Sequence, residues 1–320
     1  MSRPSRAGLL AALILAAAPA RAEDVVITQF GAAFAGNPFA IAIDGGHFKR
    51  AGVDITGIIS GAGGGTSVRN VIASELGYGE VVLSAAVAAI QEGQDIKVVN
   101  IGARSVADIV MVVRPDSTIK TLKDLAGKKI GFSNPKSLSE IVAIMTVEKS
   151  GLKHDQVQRV ALGSLGGALT ALEKGAVDMA VGLQVVWQQR SDKLRVVLDV
   201  GKELPPMVQS VGIATGDLMK KNPDKLRAII AARREAVKFM NAKPHEAAKM
   251  LEKHFAKVPP DVLARVTEAL LKDGYWSEGR IEMDRIKNMA RGLKLVGDVK
   301  GEIDWNKVID RSFLPKDLRN

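Results

Sequence analysis

The chain has 320 residues, 47% apolar and 25% charged, and it contains no cysteine. That composition excludes disorder, a collagen-like repeat and a disulfide-stapled scaffold, and the missing thiol removes thiolate metal sites and cysteine nucleophiles. A formal charge of +10 spread without a run of five basic residues, with only 4% aromatic residues, argues against a nucleic-acid face.

Residues 1–22 read as an export signal. Arg3 and Arg6 form a basic start, Ala7 to Ala18 an apolar stretch, and Ala20-Arg21-Ala22 presents small residues at the cleavage positions. The apolar stretch is too short to span a bilayer. Cleavage near Ala22 leaves a mature chain from Glu23, and loss of three arginines from a chain of +10 leaves +7. Because no lipobox cysteine is present, retention of the exported protein implies an outer membrane, and the expected location is the periplasm.

Asp24–Gln29 predicts a short strand ending in Phe30-Gly31, followed by a helix with Asn37 as its cap and Pro38 in its first turn. A strand over Val53–Ile59 runs into Gly61-Ala62-Gly63-Gly64-Gly65-Thr66 and a helix. Glu80–Leu83 then predicts a strand, with Ser84 before the next helix, and Ile96–Ile101 another strand, followed by Arg104 and Ser105. The order then repeats. Lys129–Phe132 is a strand, Ser133-Asn134-Pro135-Lys136 a turn, and Ser137-Leu138-Ser139-Glu140 a capping box that opens a helix. Val157–Leu162 runs into Gly163-Ser164-Leu165-Gly166-Gly167 as the earlier strand runs into its glycines, and Asp178–Val181 matches Glu80–Leu83. The copies are offset by 98 residues at Glu80 and Asp178 and by 102 at Gly61 and Gly163.

Alternating strands and helices imply βαβ units, a largely parallel sheet, and ligand binding at the carboxyl ends of the strands. Two copies imply two lobes. Beyond residue 215 the pattern turns helical, over Pro223–Asn241, Pro244–His254, Pro259–Lys272 and Ile281–Leu295. Leu226, Ile229, Ile230, Arg233, Val237 and Met240 recur at helical spacing and predict a face that wraps the first lobe. The expected crossings lie near Val112–Asp116 and Leu204–Pro206. Lobe one is then 23–114 with 206–320, and lobe two 115–205.

The sequence resembles the substrate-binding proteins of ABC importers of the nitrate/sulfonate/taurine type, a group that also includes thiamine-pyrimidine binders. The resemblance is carried by Asn37–Val53, Gly61–Thr66, Val113–Gly131 and Ala171–Asp178, and extends from about Asp24 to about residue 255. It implies an α/β chain with the type II periplasmic binding protein fold, two lobes with mostly parallel sheets joined by a hinge. It also implies a small-molecule ligand, ABC permease transmembrane subunits as partners, and a monomer. Two positions depart from the family pattern: Gly77-Tyr78-Gly79-Glu80 replaces its usual small-x-Gly-x-x-Asp run, and Gln184 stands where an acid is frequent.

The candidate ligand contacts are strand-end residues. Backbone N–H groups at a helix start favour an anion without any cationic side chain, and Gly63, Gly64, Gly65 and Thr66 offer such a start, or simply a tight turn. Ser133, Asn134 and Ser137 occupy the matched place in the second copy, with Ser137 equally able to act only as a cap. Phe30, Gly31 and Asn37 follow the first strand. Ser84 either faces the ligand or caps its helix. Arg104 either clamps an oxyanion or is a surface or Asp108-paired arginine; Gln184 offers an amide, and Trp187 either walls the site or belongs to a helix core.

No enzyme motif survives inspection. The histidines are His47, His154, His245 and His254, never in His-Glu-x-x-His order, and neither a Gly-x-Ser-x-Gly elbow nor a Walker loop occurs. The sequence points to no cofactor or metal. It points to a non-enzymatic periplasmic solute-binding protein capturing a small sulfonate, carboxylate or inorganic oxyanion, with pyrimidine binding, a periplasmic enzyme or a sensor subunit as alternatives. N-terminal sequencing of exported protein is expected to begin at or near Glu23; an intact Met1 in a membrane fraction would contradict this.

Overall fold

The computed structural model describes residues 22–299 and 301–320, so the expected export signal lies outside the described residues except for Ala22. Among the described residues ten strands follow one another: β1 (Glu23–Thr28), β2 (Ile55–Gly61), β3 (Tyr78–Val82), β4 (Ile96–Ile101), β5 (Ile109–Val113), β6 (Lys129–Phe132), β7 (Gln158–Ala161), β8 (Met179–Leu183), β9 (Arg195–Asp199) and β10 (Ser210–Thr215). They form two five-stranded sheets, β2-β1-β3-β10-β4 and β7-β6-β8-β5-β9. In each sheet four strands run one way and the one that has just crossed from the other sheet, β10 or β5, inserts antiparallel. The repeat in the sequence is thus a repeat of sheet positions.

One boundary differs from the sequence reading. Ile109–Val113, expected to end lobe one, is a central strand of the second sheet, paired with both β8 and β9. Every residue of Ile-Val-Met-Val-Val is buried, as a strand covered on both faces requires. The interruption at Arg114-Pro115 ends this strand, and the Arg114 guanidinium ties the turn to the Leu172 carbonyl at 2.8 Å. The crossings therefore fall at residues 102–108 and 200–209, and the second contains Leu204-Pro205-Pro206 as expected.

The two crossing segments meet at a buried polar contact. Gln209 Nε2 donates to the Asp108 carboxylate at 3.3 Å, and the Tyr275 hydroxyl donates to Gln209 Oε1. Burial raises the Asp108 pKa to about 6, against the lowering effect of the Gln209 hydrogen bond, and its second oxygen has no hydrogen-bond partner among the described residues.

The C-terminal helices pack on lobe one through one apolar stripe. In Pro223–Ala242 the buried face is formed by Leu226, Ile229, Ile230, Arg233, Val237 and Met240, together with Ala232 and Ala236. Arg233 is 1% exposed and reaches Glu80 in β3, also 1% exposed, through Nε at 2.7 Å. Its Nη1 donates to the Ser277 carbonyl at 2.7 Å, and its guanidinium lies 5.6 Å from the centre of the Phe39 ring. Ser210, at the start of β10, donates its hydroxyl to the other Glu80 oxygen at 2.8 Å.

The tail reaches further than the sequence suggests. Helix Met283–Leu295 also packs on helix Leu138–Ser150, and helix Pro260–Lys272 on helix Gln184–Gln189, both of the second lobe. Gly292 permits the first contact, because a Cβ there would collide with Ile141.

Two outcomes are expected. Removing one member of the buried pair, as in Arg233→Ala, leaves an uncompensated charge and should cost about 3–5 kcal/mol in denaturant unfolding, whereas the joint change Glu80→Leu/Arg233→Met should stay close to wild type. Asp108 has its pKa raised on folding, so its stabilising contribution is present at low pH and is lost as pH rises towards and through about 6. Asp108→Asn should flatten the decline in unfolding free energy between pH 4 and 7, a decline of roughly 3 kcal/mol for a raise of this size; an unchanged pH profile would refute the assignment.

Candidate functional site

A cleft of about 420 Å³ opens between the two sheets. It lies at the carboxyl ends of β1, β2, β3, β6, β7 and β8, where the strands of an open α/β sheet deliver their loops. Burial sets its depth. Glu80, Ser210 (4% exposed) and Gln209 (6%) lie at the floor, while Arg69, Asn134, Lys136 and Ser164 are exposed at the mouth.

Four helices begin at its walls, two from each lobe: Gly64–Ala73, Leu83–Gln91, Leu138–Ser150 and Leu165–Glu173. Their first N–H groups lack carbonyl partners within the helix, and their dipoles favour negative charge. At the start of Leu138–Ser150 the hydroxyls of Ser133, Ser137 and Ser139 form a closed cluster, with separations of 2.7, 2.9 and 3.2 Å. Ser137 accepts from the Glu140 N–H as a cap should, but the Glu140 carboxylate accepts from Lys136 N–H, one residue before the cap. Only half of the predicted capping box forms. Ser164 caps the helix after β7 by accepting from Gly167 N–H at 2.9 Å. At the mouth, Arg69 donates to the Thr66 hydroxyl at 3.2 Å, and the Lys136 ammonium lies 3.3 Å from Asp298, which joins a lobe-two turn to the C-terminal tail.

Eight residues singled out in the sequence line this cleft: Gly63, Gly64, Gly65, Thr66, Ser84, Ser133, Asn134 and Ser137. Gly64 has a packing reason as well, since a Cβ there would meet Val82 and Ala85, whereas at Gly63 it would meet nothing within 4 Å. Asn134 is turned back, its amide donating to the Gly163 carbonyl at 3.0 Å.

The other six are not among the lining residues. Phe30 packs edge-on against His254 and Phe255, and Gly31 holds a left-handed turn with φ 86°. Asn37 is the first residue of its helix rather than the cap, which is Gly36, and its buried side-chain amide has no hydrogen-bond partner among the described residues. Arg104 is bound by Glu282 through two donors, which raises its pKa, so its partner is a tail acid and not Asp108. Gln184 donates to the Ala107 carbonyl at 3.2 Å. Trp187 donates to the Leu194 carbonyl at 3.3 Å and packs on the smaller core cluster of lobe two.

Glu80, Gln209 and Ser210 lie at the floor but are not among the contacts expected from the sequence. Glu80 was visible as a lone acid inside an apolar strand and Gln209 as a polar residue just before one, but the folding back of β10 beside β3 brings them together.

Comparison with solved structures gives the fold. The periplasmic aliphatic sulphonate-binding protein SsuA from Escherichia coli aligns with a TM-score of 0.73 at 19% identity, over 92% of this chain and 93% of that one. The periplasmic nitrate-binding protein NrtA from Synechocystis PCC 6803 aligns with a TM-score of 0.70 at 11% identity, over 91% and 86%. The desulfurization enzyme DSZB shares the same architecture, with a TM-score of 0.67 at 15% identity over 91% and 97%. No curated protein matches the chain. The fold is the periplasmic binding protein fold, α/β with two mostly parallel sheets. Residues 34–247, well over half of the sequence, match the model of the NMT1/THI5-like family, and the chain belongs to that family.

Proposed function

We propose that this protein is the periplasmic solute-binding component of an ABC importer and that it holds a small oxyanion-bearing ligand, of the sulfonate or carboxylate class, between its lobes. The observation that carries the reading is the convergence of helix starts from both lobes, with the three-serine cluster, on one cleft. Such a site binds an anion with backbone donors and hydroxyls, and it does so best when both halves close over it and exclude water. Gly63, Gly65, Thr66, Ser84 and Ser137 are its proposed contacts, and Arg69 adds positive charge at the mouth, where Lys136 is paired with Asp298. The sulfonate- and nitrate-binding names among the structural neighbours agree with this class. A membrane permease would then read the closed form, as population shift requires.

The pyrimidine alternative has less support, because none of the lining residues is aromatic and a heteroaromatic ring would find no stacking partner. Binding is favoured over catalysis by the serines themselves. They hydrogen-bond to one another and to backbone N–H groups, and no histidine stands in the lining to take a proton from them.

Ethanesulfonate, acetate, nitrate and an aminopyrimidine form a sufficient first panel. An oxyanion is expected to raise the melting temperature by mass action and to reduce the radius of gyration in solution scattering. Gly63→Val, which places a branched side chain in open space at the helix start, should weaken that oxyanion at least tenfold, about 1.4 kcal/mol, and Ser137→Ala should weaken it less. Unchanged affinity in Gly63→Val, or binding of the pyrimidine alone, would remove the anion reading.

A further inference from the structure

We infer that Asp108 makes solute binding proton-linked: its carboxyl group takes up a proton from solvent when the two lobes meet around it and returns the proton when they part, so that acidification favours the closed form. The inference rests on the reading of a solute held between the lobes and adds a regulation of that binding.

Asp108 ends the first crossing, is 4% exposed, and stands where both lobes and the tail converge. It shares a cavity of about 10 Å³ with Ala32, Ala33 and Phe34 of lobe one, Leu183 and Val185 of lobe two, and Val266 of helix Pro260–Lys272. Apart from Asp108 the lining side chains are apolar. A cavity of this size is at the lower limit for one water, and a water there would meet a single polar side chain where it needs several partners. One Asp108 oxygen accepts from Gln209 of the second crossing at 3.3 Å, and the other has no hydrogen-bond partner among the described residues. An ionised carboxylate so placed keeps one oxygen dry and unpaired, which costs far more than burying the neutral acid.

The charged groups on the surrounding elements do not offset that cost. Tyr275, whose hydroxyl donates to Gln209, is held protonated by burial and by the Asp108 charge, with Glu80 adding to the effect. Glu80 itself is paired with Arg233. Arg104 and Arg285 are bound to Glu282, Lys202 to Asp199, Arg190 to Glu173, Arg265 to Asp261, Glu268 to His245 and His254 to Asp44. Ala33 and Leu183, one from each lobe, line the solute cleft as well as the Asp108 cavity. When the lobes part along that seam, water reaches Asp108 and restores ordinary aspartate ionisation, while helix Pro260–Lys272 keeps its seat on helix Gln184–Gln189. The closed form therefore has the higher pKa, about 6. It holds the proton, gains stability over the open form at low pH, and loses that gain as pH rises through this value.

The test is titration calorimetry of ethanesulfonate and of nitrate, neither of which titrates near neutral pH, on the exported chain and on Asp108→Asn, in buffers of different ionisation enthalpy. The wild-type protein should take up roughly half a proton per solute at pH 6, since a group of pKa about 6 is half protonated there and a solvated aspartate is ionised. It should bind several-fold, at most about tenfold, tighter at pH 5 than at pH 8. Both effects should vanish in Asp108→Asn. Histidines titrate in the same range, so the difference between the two proteins carries the assignment. Equal uptake in both proteins, or none in the wild type, overturns the inference and leaves the oxyanion reading standing. If neither solute binds, the oxyanion reading falls and solution scattering of the free protein decides this one: the radius of gyration should rise from pH 5 to pH 8 in the wild type and stay constant in Asp108→Asn, and any other pattern overturns it. Should Asp108→Asn fail to fold, infrared difference spectra of the wild type at pH 6 should show a protonated-carboxyl band gained on binding, and its absence overturns the inference.

Discussion

The buried pair of Glu80 and Arg233 is the contact on which most of the first lobe depends. It fastens a 20-residue C-terminal helix to the middle strand of a sheet made from the start of the chain, across a sequence separation of 153 residues. Ser210 brings the second crossing into the same contact, and Ser277 brings in the segment after helix Pro260–Lys272. Burying two charges is expensive, and a pair of hydrophobic residues would hold the helix as well. What the ionic version adds is a fixed, oriented carboxylate at the base of a cleft, which no hydrophobic pair provides.

The same economy governs the rest of the site. Its donors are the first turns of helices that the fold needs in any case, and two of its hydroxyls, Ser137 and Ser164, cap the helices of the second lobe. Gly64 serves packing and access together, since the close approach of its helix to Val82 and Ala85 is what brings the turn over the cleft. Beside Glu80 the floor holds Gln209, the last residue of the second crossing, and Ser210, which opens β10, so a segment that joins the lobes also touches the floor.

The strands, their repeat and the glycine and serine turns were legible because each is a local signal: an apolar run, a cap, a residue tolerant of close approach. Ser137 and Ser164 could be placed at helix starts for that reason. The position of Ile109–Val113 in the second sheet was not legible, since an apolar run tells that a strand is buried but not between which neighbours. The sequence leaves Arg104 open between a ligand clamp and a paired residue because its partner, Glu282, is 178 residues away. Glu80 looked like a departure from a family pattern for the same cause. Pairings that close over such distances leave no periodic trace, and they decided which polar residues face the cleft.

The seat of helix Met283–Leu295 on helix Leu138–Ser150 bears on how the molecule moves. The close approach at Gly292 and Ile141 is apolar and tightly fitted, so pulling it apart would open a void on both surfaces. A motion that opens the cleft while keeping this contact has to turn about it. The second seat of the tail, helix Pro260–Lys272 on helix Gln184–Gln189, restricts such a turn further, since it too would have to stay closed. Where Lys136 meets Asp298 the same tail reaches the cleft mouth, so it borders the opening as well as bracing the two lobes.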